Sequence, residues 1–194
     1  MRRCALAFAC ALAFWPSSAR AEARFTPFAG VAAGQNGERL RVRFDGEEQY
    51  EDRWLWNTRL IAGLSLRLPE TVGPRARLDS SVGFGVVYHT GHGQLELREA
   101  ALYELPIAGD LSLPVGVAPA VSVDTASSAR SSLALAPSLG LAWRFIEIAY
   151  RPSYTLPLGA ERRRVFTGTR ELSARPGISL VEFSLFFHLR GLDF

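Results

Sequence analysis

The side chains best suited to catalysis lie between positions 81 and 96. His89-Thr90-Gly91-His92 puts two of the chain's three histidines within four residues. Beside Ser81 or Thr90, and oriented by Glu96, either imidazole would complete the nucleophile, base and carboxylate that acyl transfer needs. The same two histidines could begin a metal site, but zinc takes three or more protein ligands, and no cysteine occurs after Cys10. No nucleophile motif accompanies these residues. The chain is therefore read as non-enzymatic, with no catalytic, cofactor-binding or metal-ligating residue assigned and no cofactor expected.

Arginine supplies a different chemistry. Lysine is absent, so every basic side chain is a guanidinium, whose planar fork matches phosphate. Arg162, Arg163 and Arg164, with Arg170 and Arg175 nearby, make a basic segment expected to contact the anionic headgroups of lipopolysaccharide. An acidic segment, Asp45, Glu47, Glu48, Glu51 and Asp52, is complementary to it in charge. The whole chain carries a net charge of only +3, too small for an extended nucleic-acid surface, and no nucleic-acid partner is expected.

These side chains must be held by strands, because the dominant period along the chain is two. From Trp54 the sequence places Trp54, Trp56, Leu60, Leu64, Leu66 and Leu68 on one parity and Asn57, Arg59, Gly63, Ser65 and Arg67 on the other. The pattern returns at 75–88, 94–106, 111–124, 133–145, 148–158 and 181–190, and less regularly at 24–34, giving eight segments. Glu99 is the discordant charge, standing on the apolar parity of its segment. Prolines 119, 137, 152 and 157 remove ladder donors and predict bulges or irregular sheet. Tight turns are expected after the second, fourth and sixth strands, and connections of about 15 residues after the first and seventh.

A soluble sandwich or lipocalin would bury the apolar parity; a membrane barrel would turn it outward. Several segments match the about 9 to 11 residues that a tilted strand needs to cross a bilayer. Aromatic residues gather near strand ends on the apolar parity, with Trp54, Trp56 and Tyr88 at one rim and Tyr103, Trp143 and Phe145 at the other, as two interfacial girdles. The opposite parity carries Arg59, Arg67, Arg77, Asp79, Glu96, Arg98, Arg151 and Glu182. Inside a narrow barrel these would form a paired charge network that fills the lumen and leaves no open pore. The predicted class is all-β: a single antiparallel up-and-down transmembrane β-barrel of eight strands. The competing reading is a soluble periplasmic β domain.

The first residues, Met1-Arg2-Arg3, an apolar run from Cys4 to Trp15 and Ala19-Arg20-Ala21, read as a signal peptide cleaved after residue 21. Residues 22–194 are the expected barrel domain. Signal, size, eight amphipathic strands and a terminal Phe194 resemble the small bacterial outer-membrane barrels of the OmpA, OmpX and OmpW type. The resemblance implies export to the outer membrane, surroundings of outer-membrane lipid and lipopolysaccharide, and a last strand read by the barrel assembly machinery. A monomer is expected. Phe194 departs from the pattern, since it lies on the parity opposite to Leu189. The same resemblance admits a lipid A acyltransferase or deacylase as the alternative to a structural or surface-interaction role.

Overall fold

The computed structural model describes residues 24–68, 75–88, 91–165 and 168–189. The segment expected to be a signal peptide, residues 1–21, lies outside the described residues, as do His89, Thr90, Gly191 and Phe194. Fourteen strands form one antiparallel sheet: β1 (Arg24–Phe44), β2 (Glu47–Arg67), β3 (Ala76–Val87), β4 (His92–Ala108), β5 (Leu111–Val117), β6 (Ala120–Asp124), β7 (Ser132–Leu135), β8 (Pro137–Trp143), β9 (Ile146–Tyr150), β10 (Ser153–Pro157), β11 (Ala160–Val165), β12 (Gly168–Ala174), β13 (Gly177–Ser179) and β14 (Val181–His188). One short 3-10 turn, Ser128–Arg130, interrupts them.

Short strands continue one another, β5 with β6, β7 with β8, β9 with β10 and β11, and β12 with β13 and β14, so the fourteen make eight staves. The sheet closes where β1 meets β14, in register from Phe28↔His188 to Gln35↔Val181. Closure removes every free edge within the wall. Arg24 and His188 lie at one end, with the tight reversals at Gly109 and at Arg144; both adopt positive φ, 53° in each case.

The prolines mark where staves break. Leu135 pairs with Tyr154 and Leu139 with Tyr150 in one constant register, which sets Pro137 opposite Pro152. Along this seam the odd positions of β7 and β8 face the next stave, as the Leu158 amide shows by donating to the Ser131 carbonyl at 2.7 Å. Both prolines therefore stand where two reciprocal ladder bonds would form, and neither has a donor. Further round, the gap between β13 and β14 is mended by Tyr150, whose hydroxyl donates to the Leu180 carbonyl at 2.7 Å.

The expected 15-residue connections are not loops. β1 and β2 run on for 21 residues each, joined at Asp45-Gly46, whose φ values of 48° and 87° suit a two-residue hairpin turn. Their alternation continues past residue 34, and that extended backbone pairs from Arg24↔Arg67 to Phe44↔Glu47 without a slip. Likewise β11 and β12 form a hairpin, and β12 pairs with the far half of β1 from Leu40↔Ala174 to Phe44↔Arg170. Strands β2, β1, β12 and β11 thus extend the wall on one side as a four-stranded rim sheet.

The faces settle the choice between the two β readings. Leu60 and Trp54 are 69% and 58% exposed, whereas Arg59 and Glu96 are 4% and 3% exposed. The apolar parity faces outward and the charged parity inward, the reverse of a soluble fold. The soluble reading is corrected on this point, because such a wall in water would expose far more contiguous apolar surface than a soluble monomer carries.

Candidate functional site

Three regions hold the polar chemistry: the lumen, the rim sheet and the boundary between rim and wall. In the lumen, β2 supplies Arg59, β4 supplies Glu96 and Arg98 two residues apart on one face, and β14 supplies Glu182. They close a ring. Arg59 bonds Glu96, Glu96 lies 3.1 Å from Arg98, Arg98 bonds Glu182, and Glu182 returns to Arg59 at 2.6 Å. Each charge has two opposite neighbours, and Ser122 adds a donor to Glu96 at 3.1 Å. Buried ions need this saturation, since burial removes the water that would otherwise solvate them.

A second cluster sits toward the end that carries Arg24 and His188. Arg77 contacts Glu147 and Glu104, both at 2.7 Å, and its Nε lies 3.0 Å from Asp79 without the alignment of a hydrogen bond. Ser65 donates to Asp79 at 2.6 Å, and His188 approaches Glu147 at 3.2 Å. Arg67 stands half-exposed at the mouth, 3.2 Å from Glu104. Arg151 joins neither the ring nor the Arg77 cluster. Its Nε donates to Ser138 at 3.1 Å and its guanidinium lies 4.8 Å from the centre of the Phe186 ring. Among the described residues no carboxylate lies within ion-pair distance of it.

Glu104, Glu147 and His188 are members that the sequence reading did not single out. They share the polar parity of their strands, which is the only local signal they carry. Glu147 contacts side chains on β3 and β14, and that meeting is set by closure.

In the rim sheet the same two faces change character. On β1, Arg39, Arg41 and Arg43 continue the parity of Phe25 and Val31, while Leu40, Val42 and Phe44 continue the parity of Phe28 and Ala32. On this strand the outward face is now charged and the inward face apolar, while the partner positions on β2, Glu47, Gln49 and Glu51, are polar. The acidic segment is used at home: Arg39 holds Asp52 at 2.5 Å, Arg43 bonds Glu48, and Arg53 holds Glu51 at 2.5 Å. The hydrogen bond from Arg39 keeps the Asp52 carboxyl below its ordinary value, and that from Arg43 does the same for Glu48. Arg162 lies 3.6 Å from Glu171 and shares the outward face with Arg164; register turns Arg163 to the inward face, where it bonds Glu161 and the Ala126 carbonyl.

At the boundary, a groove of about 480 Å³ runs between β1 and β13. Trp54, Tyr154 and Ile178 line its wall side, and Arg39 and Arg175 its rim side. Arg175 is held by the Tyr50 hydroxyl at 3.0 Å and lies 4.6 Å from the centre of that ring. Trp54, Trp56 and Tyr88 are all exposed at this level, with Tyr88 hydroxyl 3.1 Å from Thr58; Tyr103, Trp143 and Phe145 are exposed at the other end of the wall.

The catalytic set considered from sequence does not assemble among the described residues. Ser81 pairs with Arg98 and His92 with Val87, six residues along the ladder, or about 20 Å. Glu96 is consumed by its two arginines, and His92 lies near Asp124 and Arg130.

An apolar outward wall, aromatic rims and a lumen of paired ions define a transmembrane β-barrel of eight staves. No protein-family model and no curated protein sequence matches the chain. Among solved structures, Neisserial surface protein A is 13% identical, with 84% of this chain and 96% of that one covered and a TM-score of 0.40. The attachment invasion locus protein Ail of Yersinia pestis is 14% identical, with coverages of 86% and 99% and a TM-score of 0.17.

Proposed function

We propose that this is a non-enzymatic barrel of the bacterial outer membrane, closed to diffusion by its lumen ions, whose working surface is the rim and its boundary with lipopolysaccharide. The observation that carries the reading is the boundary groove. Its lower side offers rings and an aliphatic chain to acyl groups, and its upper side offers the Arg175 fork, which has no carboxylate within ion-pair distance among the described residues, to phosphate. Arg162 and Arg164 face the same headgroup layer further round, whereas Arg163 is turned away from it.

The lumen supports the closed state. An eight-staved barrel leaves room for little beyond side chains, and, Arg151 apart, its lumen charges pair with one another. With Arg24 and His188 at the periplasmic end, the rim sheet stands at the cell surface, and the last strand is the segment offered to the assembly machinery.

The test is direct. The barrel refolded into vesicles should show heat-modifiable migration and retain lipid A under native mass spectrometry. Arg175→Gln should weaken that retention several-fold while leaving migration unchanged. Equal retention by the variant would remove the headgroup assignment, and a chain that stays soluble in the periplasmic fraction would remove the membrane reading altogether.

A further inference from the structure

The outward wall departs from its own pattern at one residue. Among the described residues, Glu99 is the only arginine, aspartate or glutamate on the outward face between the aromatic rims. Leu95, Leu97, Ala101 and Tyr103 share its parity, while Glu96, Arg98 and Ala100 point inward. Its carboxyl accepts a hydrogen bond at 2.7 Å from Ser80, the outward residue opposite it on β3.

Register fixes its depth. The Ser80–Glu99 row lies four residues from the Ala76–Tyr103 row. At about 3.4 Å per residue and about 40° of tilt, this places the carboxyl ~10 Å inside the girdle. A carboxyl group at that depth is costly, and one hydroxyl donor satisfies only a fraction of its acceptor capacity. Ser80, Ala101 and Pro119 beside it are small, while Leu78, Val82 and Leu97 flank the patch. Pro119 also receives the Glu99 amide on its carbonyl at 3.0 Å.

No arginine faces lipid between the rims among the described residues, and the chain has no lysine. A second copy docking through any other part of its wall therefore brings no cation to Glu99. What it can bring is its own Ser80–Glu99 pair. Barrels inserted in the same direction are related by a two-fold axis along the membrane normal, and such an axis brings like residues face to face.

We propose that the Ser80–Glu99 patch is the contact of a homodimer formed within the membrane, in place of the monomer expected from sequence. The two Glu99 carboxyls meet across the axis with at least one proton shared among their four oxygens, and each Ser80 hydroxyl donates to a remaining oxygen. Both carboxyls are thereby withdrawn from lipid, and the small residues beside them allow the two walls to approach.

The experiment uses cysteine cross-linking in lipid vesicles, since residues 11–194 contain no cysteine. Ala101→Cys, beside the patch, should form a disulfide-linked dimer on mild oxidation; Leu141→Cys, on β8, should not. Adding Glu99→Leu should reduce the Ala101→Cys dimer at least ten-fold, and adding Glu99→Gln should retain most of it, because amides also hydrogen-bond in pairs. Heat-modifiable migration reports that each variant is folded. The proposal is overturned if Ala101→Cys links no better than Leu141→Cys, or if Glu99→Leu leaves the dimer unchanged. A lipid retained by the monomer and released by Glu99→Leu would assign the patch to lipid and overturn it equally.

Discussion

The two halves of β1 and β2 are one hairpin folded for two solvents. In the wall half, Val31 and Leu60 face outward and Ala32 and Arg59 inward; in the rim half, Arg41 and Asp52 face outward and Leu40 and Val42 inward. No register slip separates the halves. The backbone geometry is continuous, so the exchange of faces lies wholly in the sequence. It marks the level at which lipid gives way to water: a face that must dissolve in hydrocarbon becomes one that must dissolve in water. Trp54 and Trp56 stand at that level, where amphipathic rings are most at ease.

Ion pairs differ between the halves in the same way. Those of the lumen are buried and shared, while those of the rim are exposed and local. Breaking a lumen ring should have the largest effect. Glu182→Leu leaves Arg59 and Arg98 each short of a partner, and the barrel should lose about 3–5 kcal/mol, read as an earlier urea midpoint of the heat-modifiable band. An unchanged midpoint would mean that water, and not Glu182, solvates these arginines.

Placing a charge on the wrong solvent's face comes next. Leu60→Arg, on the outward wall, should cost about 2–4 kcal/mol, the penalty of an arginine near the midplane, and should slow insertion into vesicles. Arg41 and Arg43 already occupy the outward face of the neighbouring strand in the rim. If Leu60→Arg inserted normally, the boundary would have to lie lower than Trp56.

The smallest effects belong to the rim pairs. Asp52→Asn removes the partner of Arg39 and should leave the unfolding midpoint of the barrel where it was. Acid acts on the same pair. Because Asp52 and Glu48 titrate below their ordinary values of 3.8 and 4.5, their contribution is complete above the usual carboxylate range and is lost only as pH falls beneath it. Opening of Arg39–Phe44, read as amide exchange relative to the intrinsic rate at each pH, should therefore rise below about pH 4, at constant barrel fold. A rise near pH 6 would point to groups other than these carboxylates.

Much of the fold is legible along the chain because period two is a local property. The eight segments, the glycine and aspartate turns and the proline interruptions can each be read from a few neighbouring residues. The rim was harder. Residues 35–53 are polar enough to suggest loops, although on β1 the alternation continues with Leu40, Val42 and Phe44 on the exchanged parity. The site was legible in kind only: Arg59, Arg98 and Glu182 share the polar parity, but nothing local says that they meet. Glu147 shows why. It is buried by partners on β3 and β14, far from it in sequence, and only closure brings them together.

By itself the sequence determined which residues share a face, where strands turn and which single charge is out of place. Alternation alone could not orient those faces, because it is unchanged when inside and outside are exchanged; strand length, aromatic rims and mid-strand charges pointed the apolar parity outward. Closing the sheet broke that symmetry by giving one face a narrow interior, where arginines and carboxylates reach one another, and the other a surface that only hydrocarbon can cover. Hairpin register set Pro137 against Pro152 and Glu99 beside Ser80, but closure alone joined Arg59 to Glu182, a pairing fixed by distance across the barrel and not by distance along the chain.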